Sequence, residues 1–295
     1  MGGVDGVEAA DNDTGPVLDA HVHLWDPNRL SYPWLAEAPA INRAFTGDDF
    51  AALHAEPVEA VFVEAGRDAA QAGAEVEWVR TEAAKHAWIR GAVAHVTVEN
   101  PVQAVREIRR HAEDPFVVGV RRNVQEEAPG FTEHADFRVG VRLLGQAGLP
   151  FDACVRQHQL PELVRLADAC PDTTIILDHL GKPQPTGRDE WSRDLRQVAE
   201  QPNVVCKLSG LATEVVGADA PQALMVSLLR EALEVFGPER CLYAGDWPVM
   251  TLATDYRTWL DVVREALAPY PAAAAAAVFR GTARRVYRLA AKETQ

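Results

Sequence analysis

Short apolar runs separated by amphipathic stretches recur along the whole chain. After Val17-Leu18 they fall at residues 60–63, 91–98, 117–120, 150–155, 173–177, 203–208 and 241–244. These runs have the length of buried strands rather than helices. Between them, residues 69–86, a segment opening with Asn100-Pro101, and residues 132–147, 160–170, 190–200 and 221–236 carry helical spacing. Two more helices, near 255–267 and 272–290, close the chain. Asn100-Pro101 is a helix cap followed by a first-turn proline, Thr46 can cap a short helix through Phe50 and Leu53, and Gly148 is a stop signal. Continuous apolar strands alternating with helices imply a parallel sheet covered on both faces. Eight such units in 295 residues fit a single-domain (β/α)8 TIM barrel better than an open doubly wound sheet. No GxGxxG follows the first strand, which weakens a dinucleotide-binding reading.

The first strand runs into Asp19-Ala20-His21-Val22-His23. Strict alternation puts Asp19, His21 and His23 on one face, with the two imidazoles about 7 Å apart at ~3.3 Å per residue. Such a pair can converge on one metal ion or one substrate oxygen. The irregular segment 25–46 that follows is rich in proline and aromatic residues, the mark of an ordered loop. Trp25, Tyr32 and Trp34 in it are expected either to wall a pocket or to cover one end of the core. Residues 1–16, polar and glycine-rich, read as a disordered leader, which leaves 17–295 for the barrel.

Composition narrows the partners. A chain 47% hydrophobic and 24% charged is ordinary for a globular protein. Its formal net charge of -14 argues against nucleic acid or an anionic membrane surface, but local arginines in a cleft can still hold an acidic small molecule. The four cysteines form no CxxC and suit reduced core positions better than disulfides or a zinc knuckle. With no signal-peptide pattern and no apolar run of ~18–20 residues, a cytoplasmic location is expected. A homo-oligomer is compatible with the sequence, which does not specify one.

The polar residues then fall into a positional pattern. His21 and His23, Glu64, Arg121, His158, His179, Lys207 and Asp246 all lie at or just beyond the C-terminal ends of predicted strands. In a barrel those ends form the one rim that carries the active site. Residues scattered over the sequence are thereby expected to meet in one small volume.

Several segments resemble a known family. They are Asp19-Ala20-His21-Val22-His23, Leu177-Asp178-His179-Leu180-Gly181-Lys182-Pro183, Lys207-Leu208-Ser209-Gly210 and Tyr243-Ala244-Gly245-Asp246-Trp247-Pro248. Together they are similar to the amidohydrolase superfamily, over about residues 17–290. Trp25-Asp26-Pro27 with Tyr32-Pro33-Trp34-Leu35, and Gly119-Val120-Arg121-Arg122 with Gln125, resemble its sugar-lactone branch. That branch is the L-fuconolactonase and L-rhamnonolactonase type, with 2-pyrone-4,6-dicarboxylate lactonase as a relative. The resemblance implies a hydrolase that opens a sugar-acid lactone. The chain departs from binuclear members in having Arg121-Arg122-Asn123 where they carry a bridging Lys or Glu. An arginine is permanently cationic and repels a second metal, so one divalent ion, zinc first, or none is expected. His21, His23, His158 and Asp246 supply a suitable ligand set, with Glu64 and His179 as alternatives.

Lactone opening needs a water nucleophile, a base and positive charge near the developing oxyanion. Asp246 is expected to be the base, like its superfamily counterpart, with His179, His21 and His23 polarising the carbonyl directly or through a metal, and His158 is expected among the catalytic residues. Arg121 is expected to hold substrate oxygens or to pair with Asp152 or Glu64. Lys207 is expected to bind substrate or to neutralise nearby carboxylates, and Trp25 or Trp34 to stack on a sugar ring. Arg122, on the opposite face from Arg121, is expected to be structural. The alternatives are a metal-dependent decarboxylase of an aromatic or unsaturated acid, which needs an apolar, aromatic-lined pocket, and an inactive barrel that binds a sugar acid.

Overall fold

The computed structural model describes residues 16–53, 58–219 and 221–290, so the leader expected over 1–16 lies outside it except for Pro16. Eight strands form one sheet in sequence order with every neighbour parallel. They are β1 (Val17–Val22), β2 (Val58–Val63), β3 (Ile89–His95), β4 (Val117–Arg121), β5 (Phe151–Ala153), β6 (Ile175–Leu177), β7 (Val204–Leu208) and β8 (Cys241–Tyr243). Helices Ala72–Ala83, Pro101–Ala112, Ala135–Gln146, Leu160–Ala169, Arg188–Ala199, Pro221–Phe236 and Tyr256–Leu267 alternate with the strands, which makes the fold a (β/α)8 barrel. The ring closes just beyond β8. Asp246 donates its backbone N–H to the His21 carbonyl (2.9 Å), and His23 donates to the Trp247 carbonyl (2.7 Å). The backbone of the expected site is therefore the seam of the barrel.

Two apolar layers hold the sheet. Leu18, Ala20, Val61, Val63, Val93, Ile176, Val205, Leu242 and Ala244 fill the interior with Ala283, Val286 and Tyr287 from the chain end. Bulkier residues such as Phe151, Leu208, Tyr243, Trp191 and Trp259 fill the space between strands and helices. The closing segment is not the single helix expected over 272–290. It runs as Ala272–Ala276, a π-turn at Ala277–Gly281 and Thr282–Val286. A π-turn changes the phase of a helix without breaking it, and here the last turn plugs the barrel bottom.

The strict alternation expected for the first strand is also broken. Pairing of β1 with β2 shifts register between Asp19 and Val22. Leu18 and Ala20 consequently face inward, Val22 and Leu24 outward, and His21 and His23 inward again. Asp19 lies on the other side, where its carboxylate accepts the N–H groups of His21 (2.9 Å) and Gly245 (2.9 Å) and the Tyr256 hydroxyl (2.8 Å). One carboxylate thus ties β1 to the end of β8. All four cysteines are buried and free, and no helix among the described residues is long and apolar enough to cross a membrane.

Candidate active site

His23 has an assigned tautomer. Its Nδ1 faces the Val63 carbonyl at 2.8 Å and must carry the proton, so Nε2 turns a lone pair into the barrel mouth. That lone pair lies 3.1 Å from His21 Nε2 and 3.5 Å from Asp246 Oδ1, and His21 Nε2 is 3.7 Å from the same oxygen. Two imidazole nitrogens this close need a proton or a cation between them. On its far side His21 Nδ1 meets Lys207 Nζ (3.0 Å) and Asp178 Oδ1 (3.4 Å). Burial, reinforced by Lys207, holds His21 well below the usual histidine range, so it is neutral.

His179 stands opposite on a left-handed turn. His179, Leu180, Gly181 and Lys182 have φ of 54°, 53°, 71° and 52°, and Asp246 also has a positive φ of 59°. Such backbone is unfavourable for residues with a Cβ and marks positions fixed by their surroundings. His179 Nδ1 is 2.8 Å from Ser209 Oγ, and burial, partly offset by Asp246, brings its pKa down to about 4. Burial alone would raise the pKa of Asp246, yet His179, His23 and His21 hold it well below the usual carboxylate range. The site therefore presents the neutral imidazoles of His21 and His179 beside an ionised carboxylate.

A ring of ion pairs supports these groups. Arg121 Nε donates to Glu64 Oε1 (2.7 Å), its Nη2 donates to the Glu64 carbonyl, and its Nη1 approaches His21 Nε2 (3.3 Å). Glu64 Oε2 accepts from Gly66 N–H and Arg67. Burial would raise the Glu64 pKa, but Arg121 and Arg67 bring it down to about 2. Lys207 pairs with Asp152 and with Asp178 (3.0 Å), and Tyr287 donates to Asp152 from below (2.9 Å).

The expected site residues divide between the cluster and its surroundings. Glu64 stands outside the group of convergent ligand atoms, and its two oxygens accept from two guanidiniums and a backbone amide. Of the two roles expected for each, Arg121 takes the pairing with Glu64 and also approaches His21, and Lys207, fully buried, neutralises two aspartates. His158 is exposed on the turn Gln157–Gln159, outside the cluster. β5 stops at Ala153, and Cys154 takes the position at its end. Trp25 is fully buried, with its indole N–H on the Arg43 carbonyl (2.8 Å), and cannot stack on a ligand. Trp34 is half-buried above Ala65, to whose carbonyl it donates (2.8 Å). Arg122 turns away from the site to Glu99 and Glu127.

His21, His179 and Asp246 present ligand atoms within 4.8 Å of one another, and His23 joins them through Asp246. Donors about 3.3 Å apart are what a tetrahedral zinc with bonds of ~2.0–2.1 Å requires. The separations of 3.1, 3.5 and 3.7 Å among His21, His23 and Asp246 fit one such ion. The Val63 carbonyl behind His23 is the outer partner that orients a ligating imidazole. Arg121 beside His21 opposes a second cation.

Residues 18–289 match the family model described as amidohydrolase. The chain belongs to the amidohydrolase family. An L-fucono-1,5-lactonase of Burkholderia multivorans is 33% identical over 294 residues, covering 92% of this chain and 96% of that one. Two crystal structures of an amidohydrolase from the same species, one with bound HEPES and one with bound zinc, are each 30% identical. They superpose with TM-scores of 0.85 and 0.84, covering 94% of this chain and 100% of theirs. In this amidohydrolase barrel the sequence reading passed over Asp178, Cys154 and His95, which also stand at strand ends. Asp178 was visible beside His179. His95 was hidden because the third strand was expected to continue to residue 98 rather than end there.

Proposed function

We propose that the protein is a hydrolase that opens the ester of a sugar-acid lactone of the aldonolactone type. The observation that carries this reading is the convergence of Asp246 with His21, His23 and His179 at one point of the rim. Its likeness to an L-fucono-1,5-lactonase over 92% of the chain supports the substrate class. A divalent ion, zinc in the first instance, would be held by His21, His23 and Asp246 within reach of His179, and would supply Lewis-acid polarisation of the ester carbonyl.

The residues of the chain account for the proton movements. Asp246, ionised, takes a proton from water as the water oxygen adds to the carbonyl carbon. His179, neutral and held by Ser209, faces the oxygen on which negative charge develops. Collapse breaks the ring C–O bond, and Asp246 returns the proton to the leaving alkoxide, giving the hydroxy acid. The decarboxylase alternative calls for an apolar aromatic pocket. Trp25 is withdrawn into the core, and charged groups surround the imidazoles, so that alternative gains no support. The test is acid release from a panel of aldono-1,4- and 1,5-lactones, corrected for spontaneous opening. Hydrolysis of at least one is expected, and a panel with no rate above background would refute the reading.

A further inference from the structure

Gln125 and Lys182 touch none of the reacting groups, yet the fold brings them together at the mouth. Lys182 Nζ donates to Gln125 Oε1 at 2.5 Å, and Cys154 Sγ is 3.5 Å from the same oxygen. Cys154 in turn belongs with Asp178 and His179 to a group whose ligand-type atoms lie within 4.8 Å of one another. The ammonium thus stands beyond the ends of β4, β5 and β6, one side chain removed from His179. Its charge acts on both Cys154 and His179.

Its partners set Lys182 apart. Arg67, Arg121 and Lys207 each pair with a carboxylate, whereas Lys182 has no ion pair among the described residues and bonds to a neutral amide. A half-buried ammonium with one bond made keeps two N–H donors for a ligand. The position is imposed by the backbone. Lys182 N–H donates to the His179 carbonyl (2.8 Å), closing a left-handed four-residue turn, His179 to Lys182, in which residues i and i+3 lie over one another.

The geometry points to Lys182 and Gln125 as the subsite that reads ring hydroxyl groups of the lactone, on the side away from its ester carbon. This inference rests on the lactonase reading. A hydroxyl both accepts and donates, and the pair offers ammonium donors beside an amide that has both an oxygen and an NH2. A carboxylate suits the site less well, because the Gln125 oxygen stands beside the only free cation in the pair.

The test compares kcat/KM for a hydroxylated aldono-1,5-lactone and for δ-valerolactone, which has no ring hydroxyl, in wild type, Lys182→Met and Gln125→Leu. The hydroxylated substrate is expected to lose ten- to hundredfold more than δ-valerolactone in both variants, mainly through KM. Equal losses on the two substrates would make the pair structural and overturn the inference alone. A larger loss on a lactone carrying a second carboxylate than on the neutral polyol would also overturn it, in favour of anion binding. Wild type inactive on every lactone would overturn the hydrolase reading and this inference with it. If circular dichroism shows Lys182→Met unfolded, Lys182→Gln and Gln125→Leu carry the comparison.

Discussion

Gly210 lies against the ring of His179. A β-carbon there would stand 2.7 Å from both Cγ and Nδ1 of that imidazole, and the glycine has a φ of +70°. Gly210→Ala adds a clash to a backbone conformation that alanine resists, so a stability loss of about 2–4 kcal/mol is expected, together with at least tenfold lower activity. Urea unfolding and lactone hydrolysis check both, and a Gly210→Ala enzyme as stable and active as wild type would show that His179 is not held as described. The sequence revealed His21, His23, His179 and Asp246 because strand ends of a barrel converge. It left two fates open for Arg121 and for Lys207, since whether a charge meets substrate or a counter-charge depends on neighbours far away in the chain. His158 was misplaced because β5 ends two residues earlier than the apolar run suggests.

At the level of elements, the connection after β2 holds a buried acid and base in close quarters. Glu75 Oε1 accepts the Ala65 N–H (3.1 Å), and Oε2 lies 3.7 Å from Arg67 Nε. Burial pushes the Glu75 carboxyl up to about 8; Arg67 opposes this and Glu64 adds to it. An unfolded glutamate ionises near 4.5, so between about pH 4.5 and 8 the folded chain keeps a proton the unfolded chain has lost. The sign is therefore negative: the contribution of Glu75 to stability is full below that window and falls as pH rises through it, by at most about 1.4 kcal/mol per pH unit. Glu75→Gln cannot titrate. Unfolding free energies at pH 5, 6 and 7 are expected to fall more steeply in wild type than in Glu75→Gln, and parallel curves would contradict the assignment. The order of strands and helices was legible from apolar runs and caps. The bulge in β1 and the π-turn near the C-terminus were not, because each depends on contacts across the barrel: Asp19 with Gly245 and Tyr256, and Tyr287 with Asp152.

At the scale of the whole molecule, a polar chain crosses the barrel from bottom to mouth. Tyr287 donates to Asp152, Asp152 pairs with Lys207, and Lys207 reaches His21 and Asp178. The helix that plugs the bottom is thereby connected to His21 in the cluster at the rim. The overall charge of -14 does not describe this interior, where Arg67, Arg121 and Lys207 are buried beside acids. That separation between the global field and the local site is why composition argues against nucleic acid yet says nothing about the substrate. The role proposed for Asp246 is to drive water onto a lactone held at this rim. Its most direct test is acid release from L-fucono-1,5-lactone by wild type and Asp246→Asn, with metal content measured on the same samples. A loss of roughly 10²–10⁴-fold in the variant, which keeps its fold, is predicted. A variant that hydrolyses the lactone as fast as wild type would contradict it.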